Sequence, residues 1–348
     1  MTADIALWLV QDGVTNGAIY ALLALALLLV FAVTRVIFVP QGEFITYAAL
    51  TLGLLQSGQV PGMVYVLVGG GLLAAAFDIA VAVRENAPGR LPRILLVYVA
   101  VPVAMAAIAW WAAPRGLDMW AQVLIVIGLV APLGPILYRV AYQPLANASV
   151  LVLFVVSMAV HYALSGLGLV FFGSEGLRSA AFSDARVRLG VLDITAQSVL
   201  VVSASVAGMI ALWLFFERTL YGKALRATAI NRVGARLVGI PTRLSGSLSF
   251  LVAAFIGAVS GVLIAPITTI YYDTGLMIGL KGFVGAILGG MASYPLAAAG
   301  AVAVGLLESF SSFWASALKE SIVFTLIIPV LLWRSLTSRH PVIEDEEE

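Results

Sequence analysis

Glu217–Arg243 reads ERTLYGKALRATAINRVGARLVGIPTR and carries six of the chain's nineteen lysines and arginines against a single acid, Glu217. It lies between two apolar runs, Thr195–Phe216 and Leu244–Ile270, each long enough to cross a bilayer. A loop this basic between two spans belongs on the cytoplasmic side of a membrane protein. Its pattern also predicts order. Gly222 opens the stretch, Ile230, Val233 and Leu237 fall on one helical face, Arg232 and Arg236 share another, and Gly239 with Pro241 supplies a stop. One short amphipathic helix at the membrane surface is expected, suited to lipid, to its own chain or to a groove in a soluble partner.

Composition agrees with that setting. With 62% hydrophobic residues, 11% charged residues and a mean hydropathy of +1.06, 348 residues have too little polar surface for a soluble globule. The fold class expected is all-α, a polytopic transmembrane helical protein of one domain. The net charge of +1 carries little weight, because the placement of Lys and Arg sets orientation. Without cysteine there are no disulfides, thiolate metal sites or cysteine nucleophiles. The two histidines, His161 and His340, are too few for a His-rich metal centre. No Gly-x-x-x-x-Gly-Lys-[Ser/Thr] run cradles a nucleotide, and neither Ser-His-Asp nor His-Glu-x-x-His arrangements are visible. Catalysis, a resident cofactor and nucleic-acid binding are not expected.

Six more apolar runs precede the basic stretch and its flanking spans: Ile5–Val33, Phe38–Gln56, Gly62–Val83, Ile94–Ala113, Met119–Tyr138 and Val150–Phe172. Three follow: Gly275–Gly290, Leu296–Trp314 and Ser321–Trp333. The count is roughly ten to eleven membrane segments, with Gly275–Gly290, glycine-rich and carrying Lys281, read as a half-helix or re-entrant element. The first basic residue is Arg35, so the first run lacks a charged leader and is expected to be retained, with the N-terminus outside and the C-terminus inside. Arg84–Arg93 and Arg139–Asn147 are then cytoplasmic loops. Val187, Leu189, Val191 and Ile194 alternate around the end of the polar segment Gly173–Asp193, the pattern of a short strand or hairpin. Residues 340–348 end in five consecutive acids, an expected solvated and disordered tail.

Ionisable groups inside apolar runs are costly in lipid and must face protein, water or the interface. Glu43 follows a broken entry, Phe38-Val39-Pro40-Gln41-Gly42, and reads equally as a pathway group or a structural hydrogen bond. Glu308 has the same two readings, whereas His161 reads first as a packing histidine. Asn16 and Gln41 add uncharged polar candidates for a translocation path. Lys281 is expected to snorkel to an interface, and Asp78 to make a local helix contact. Gly257-x-x-x-Gly261 and Gly285-x-x-x-Gly289 predict close helix packing.

The order of motifs resembles the permease subunits of branched-chain amino acid ABC importers over nearly the whole chain. Gly13-x-x-x-Gly17-x-x-Tyr20-Ala21-Leu22 is similar to that family's opening helix, and Gly42-Glu43 to the end of its Asn-Phe-Ala-His-Gly-Glu signature. Arg139-Val140-Ala141-Tyr142-Gln143-Pro144-Leu145 resembles its Arg-Val-Ala-Tyr-Arg-Pro step. Gly279-Leu280-Lys281-Gly282-Phe283 and Ala286-Ile287-Leu288-Gly289-Gly290 resemble its Gly-Met-Lys-Ala-Phe and Ala-Val-Leu-Gly-Gly runs. The resemblance implies a bacterial inner-membrane importer subunit working with ABC ATPase subunits that hold ATP and Mg, a second permease (a paralogue or a second copy) and a periplasmic substrate-binding protein. It makes 217–243 the ATPase-coupling loop, carried by Lys223, Arg226, Asn231, Arg232, Arg236 and Gly239, and Glu308 a family-level acid. The chain departs at Ile37-Phe38-Val39-Pro40-Gln41, which leaves amides, urea or aromatic carboxylates open beside hydrophobic amino acids as cargo. It also departs between Gly62 and Tyr138, longer by one expected helical hairpin. An ion-coupled secondary transporter using Asp78, Glu43, His161 and Glu308 is the second class.

Overall fold

A computed structural model describes residues 3–183, 185–189, 192–291 and 293–337. Among them, nine helices are long and apolar enough to cross a membrane. These are α1 (Asp4–Thr34 within the helix Ala3–Thr34), α3 (Met63–Arg84), α4 (Pro88–Arg115), α5 (Met119–Leu145), α6 (Val150–Phe172), α7 (Ala196–Arg218), α10 (Thr242–Ile264), α12 (Tyr294–Trp314) and α13 (Ser316–Trp333). Four shorter helices complete the set: α2 (Gln41–Gln56), α8 (Leu220–Ile230), α9 (Arg232–Leu237) and α11 (Thr274–Leu288). The chain is an all-α, multi-pass membrane protein. The tail 340–348, with His340, lies outside the described residues.

α2 and α11 differ from ordinary spans. At 15 residues α11 rises about 22 Å, short of the ~30 Å hydrocarbon core, which agrees with the expected half-helix. The second run was expected to span from Phe38, but its helix starts only at Gln41 and has 16 residues. Pro40 lacks the N–H needed to continue a helix backwards, and Gly42 and Glu43 then open the first turn. The two short helices meet at their starts. A Cβ on Gly42 would stand 1.8 Å from the Gly275 carbonyl oxygen, an approach only glycine permits.

Glycine also sets the centre of the bundle. α1 packs along α12 and against α10, α11 and α7. A Cβ on Gly13 would meet the Leu306 backbone at 2.7 Å and one on Gly17 the Val302 backbone at 2.8 Å, so α1 and α12 touch backbone to backbone. The expected close packing at the other glycine steps is present. Gly257 and Gly261 lie on α2 at Phe44 and Ile45, and Gly285 and Gly289 on α12 at Ala301 and Ala297.

The segment expected to hold an extra hairpin contains α3, α4 and the first part of α5. α4 starts at Pro88, six residues earlier than the apolar run, because prolines at 88 and 92 fit the first turns of a helix. Pro102 gives up its bond to the Tyr98 carbonyl, and a π-type turn covers Leu96–Ala100. Gly71 of α3 packs on that freed carbonyl. Asp78 makes the expected helix contact, an ion pair with Arg139 of α5.

Polar caps fix the remaining boundaries. Asp118 accepts from the Trp120 N–H at 3.2 Å, Ser149 from Val152 at 3.4 Å and Thr195 from Ser198 at 3.2 Å. The alternating segment forms an antiparallel hairpin, β1 (Arg186–Leu189) with β2 (Leu192–Thr195), pairing Val187 with Ile194. α7 runs from that hairpin to α8, so hairpin and basic stretch sit at opposite ends of one span.

Candidate functional site

The basic stretch is two helices, not the one expected. Asn231 is extended (φ −148°, ψ 103°) and its side chain accepts from the Gly234 N–H at 2.8 Å, capping α9 and ending α8. Thr219 caps α8 in the same way at Gly222 (3.0 Å). Gly239, at φ +85°, ends the foot formed by α8 and α9, in the left-handed region that favours glycine. Leu225 anchors α8 among Leu29, Val33 and Phe216. The arginines tie the stretch back to the bundle. Arg232 donates to the Ala146 carbonyl at 2.9 Å, Arg236 to the Thr242 hydroxyl at 3.1 Å, and Arg226 to the Phe216 carbonyl at 2.9 Å while pairing with Glu217 at 3.0 Å. Lys223 stays exposed.

The apolar side faces out instead. Ile230 is 85% and Leu237 83% exposed, with Leu220, Val233 and Val238 exposed beside them. A foot strapped to its bundle by charged hydrogen bonds, with large aliphatics turned away, is shaped for contact with another surface.

Inside the membrane the sequence candidates fall into two groups. In the first, Gln41 donates to the Ala253 carbonyl at 2.9 Å, and His161 Nδ1 of α6 lies 2.9 Å from Glu43 Oε1. Both members of that pair are buried. Tyr47, one turn on, donates to the Leu164 carbonyl at 2.5 Å. The pair and the Tyr47 hydrogen bond together join α2 to α6.

The second group centres on Lys281, which is buried (5% exposed) and does not snorkel. Its ammonium donates to Glu308 Oε1 of α12 at 2.5 Å and to Glu320 Oε1 of α13 at 3.1 Å. The Tyr20 hydroxyl of α1 donates to Glu308 Oε2 at 2.7 Å. Four helices thus converge on one ammonium, and the snorkelling expectation fails because two acids hold it inside the bundle. The side chain of Asn16, half-buried one turn before Tyr20, makes no hydrogen bond among the described residues.

A family model described as "Branched-chain amino acid transport system / permease component" matches residues 9–331. The chain belongs to that family. LivH of Escherichia coli (strain K12), a high-affinity branched-chain amino acid transport system permease protein, is 30% identical over 201 residues, covering 56% of this chain and 65% of LivH. BraD of Pseudomonas aeruginosa, a permease protein of the same named system, is 28% identical over 203 residues, 56% of this chain and 66% of BraD. A probable branched-chain amino acid transport permease LivH of Methanocaldococcus jannaschii is 30% identical over 200 residues, 55% of this chain and 62% of that one. The chain spans about two thirds of the length of each relative, 62% to 66%.

Within this permease family chain, sequence reasoning missed Lys281 and Tyr20 as partners of Glu308, and Glu320 as the second acid on Lys281. A signal was available. A lysine between Gly279 and Gly282, in a helix with no other charge, needs a buried acid, and Glu308 is the one acid within the next apolar run.

Proposed function

We propose that this chain is a membrane-spanning permease subunit of an ATP-binding cassette importer, passing branched-chain or other hydrophobic amino acids handed over by a periplasmic binding protein. ATP hydrolysis belongs to separate ATPase subunits, and a second permease, identical or related, completes the pore in the bacterial inner membrane. The N-terminus is then periplasmic, and α8 and α9 are cytoplasmic. The observation that carries the reading is the foot: two capped helices, rigidly tied to α5, α7 and α10, with an uncovered aliphatic face. An ATPase groove closing on that face moves the foot as a body, and the arginine ties pass the displacement to three spans. Gln41, Glu43 and His161, with Asn16, supply polar groups for the pathway, whereas Glu308 is tied up in the lysine network.

The test uses the assembled transporter in proteoliposomes. Arg232→Glu with Arg236→Glu is expected to leave the chain in the membrane while cutting ATP-driven uptake about tenfold or more, because the ties are lost and two like charges enter. Val233→Asp with Leu237→Asp is expected to release the ATPase on copurification. Full ATP-driven uptake in both variants, or uptake that runs on an ion gradient without ATP, would overturn the reading.

A further inference from the structure

A groove of about 420 Å³ opens on the membrane face between α7 and α12, with Leu25 of α1 at its floor. Its walls are apolar: Met209, Ile210, Trp213 and Phe216 from α7, and Tyr294 and Ala298 from α12. It runs from near the middle of α7 to Glu217, about 12 Å along the helix. At that end Arg226 forms part of the lining, beside Glu217. Arg218 directly follows Glu217, and Lys223 lies one turn before Arg226 on α8, both exposed. Three cations against one carboxylate leave two net positive charges at the mouth of an apolar slot.

We propose that this groove holds one acyl chain of an anionic phospholipid, with its phosphate at Arg218, Lys223 and Arg226. Two independent features meet here. Apolar walls inside a bilayer are filled by hydrocarbon, and a basic pocket between spans at the headgroup level selects an anionic head. Position supports the same occupant. α7 is only 17% buried within the protein over its most apolar stretch, so the slot is open sideways to lipid. Arg226 uses its Nη2 for the Phe216 carbonyl and its Nη1 for Glu217, which fixes the guanidinium at the mouth and leaves Nε for a phosphate oxygen. The lipid would then wedge α7 against α12 directly above α8, linking the surface helix to the membrane around it. The assignment of the leaflet rests on the cytoplasmic reading of α8, but the site itself does not.

Native mass spectrometry of the detergent-purified chain, titrated with phosphatidylglycerol or phosphatidylcholine of the same acyl chains, tests the site without requiring transport. Phosphatidylglycerol is expected to remain bound about tenfold better. Arg218→Gln with Arg226→Gln should abolish that preference. Ala298→Phe fills the slot and should reduce retention of both lipids, whereas Ala299→Phe adds the same volume on the exposed neighbouring position and should not. Should Ala298→Phe fail to give monodisperse protein, Ala298→Val makes the same test with less bulk. Equal binding of the two lipids would overturn the proposal, as would phosphatidylglycerol binding that survives a filled groove, which marks diffuse attraction to the basic stretch.

Discussion

α1 and α7 are both long, apolar helices, yet 89% of the most apolar stretch of α1 is inside the protein against 17% for α7. Apolarity places a helix in the bilayer and does nothing to sort centre from rim, because lipid tails are as apolar as Leu. What sorts them is close approach and paired charge. α1 brings Gly13 and Gly17 against α12 and sends the Tyr20 hydroxyl to Glu308. α7 offers Gly208, which meets only the end of the Leu22 side chain. Substitutions at the glycine contacts and at the charge network should therefore be costly, and equivalent ones on rim helices nearly free.

The largest effect is expected at the charge network. Lys281→Met leaves Glu308 and Glu320 without their shared cation, and stranding a buried charge costs about 3–5 kcal/mol. Unfolding in detergent should shift accordingly. Lys281→Met combined with Glu308→Gln should recover a good part of the loss, because the remaining amide no longer carries a charge. A single variant as stable as the parent would break the comparison, since the centre would then owe nothing to its charges.

Next comes the junction of the two short helices. Gly42→Val places a Cβ 1.8 Å from the Gly275 oxygen, and the forced shift of α2 from α11 should cost about 1–3 kcal/mol. Unfolding measured against Gly42→Ala sharpens the point. The alanine already makes the clash, so both variants should lose stability, and a harmless alanine would mean that the two backbones have room to part.

The same contrast explains what was legible in the chain. Helix positions, the hairpin at 186–195, the half-helix at α11 and the family were readable, because each follows from local pattern or from motif order. The break at Asn231 was not, although its signal was present: the amide can cap Gly234 three residues on, and a helical face drawn through Ile230, Val233 and Leu237 ignores that competition. Beyond the break, the arginines tie back to Ala146 and Thr242. The role of Lys281 was missed for a different reason. Its partners lie 27 and 39 residues further along, on helices whose neighbours no periodicity names. Glu43 and His161, on α2 and α6, were each singled out, but their contact was not foreseen.

The smallest effect is the most discriminating. Gly69 lies on the exposed side of α3, and a Cβ added there would meet nothing within 4 Å. Gly69→Leu should therefore change the stability of the isolated chain by no more than about 0.5 kcal/mol, with any shift toward greater stability because a helix-interior glycine is replaced. Unfolding of the isolated chain and of the assembled transporter should be measured side by side. A variant that is neutral alone and destabilising in the assembly places the second permease on this face of α3. A variant that is neutral in both leaves the face to lipid and makes α3 part of the rim. Destabilisation of the isolated chain itself would contradict the division drawn here, since a helix with nothing against its glycine has no packing for leucine to disturb.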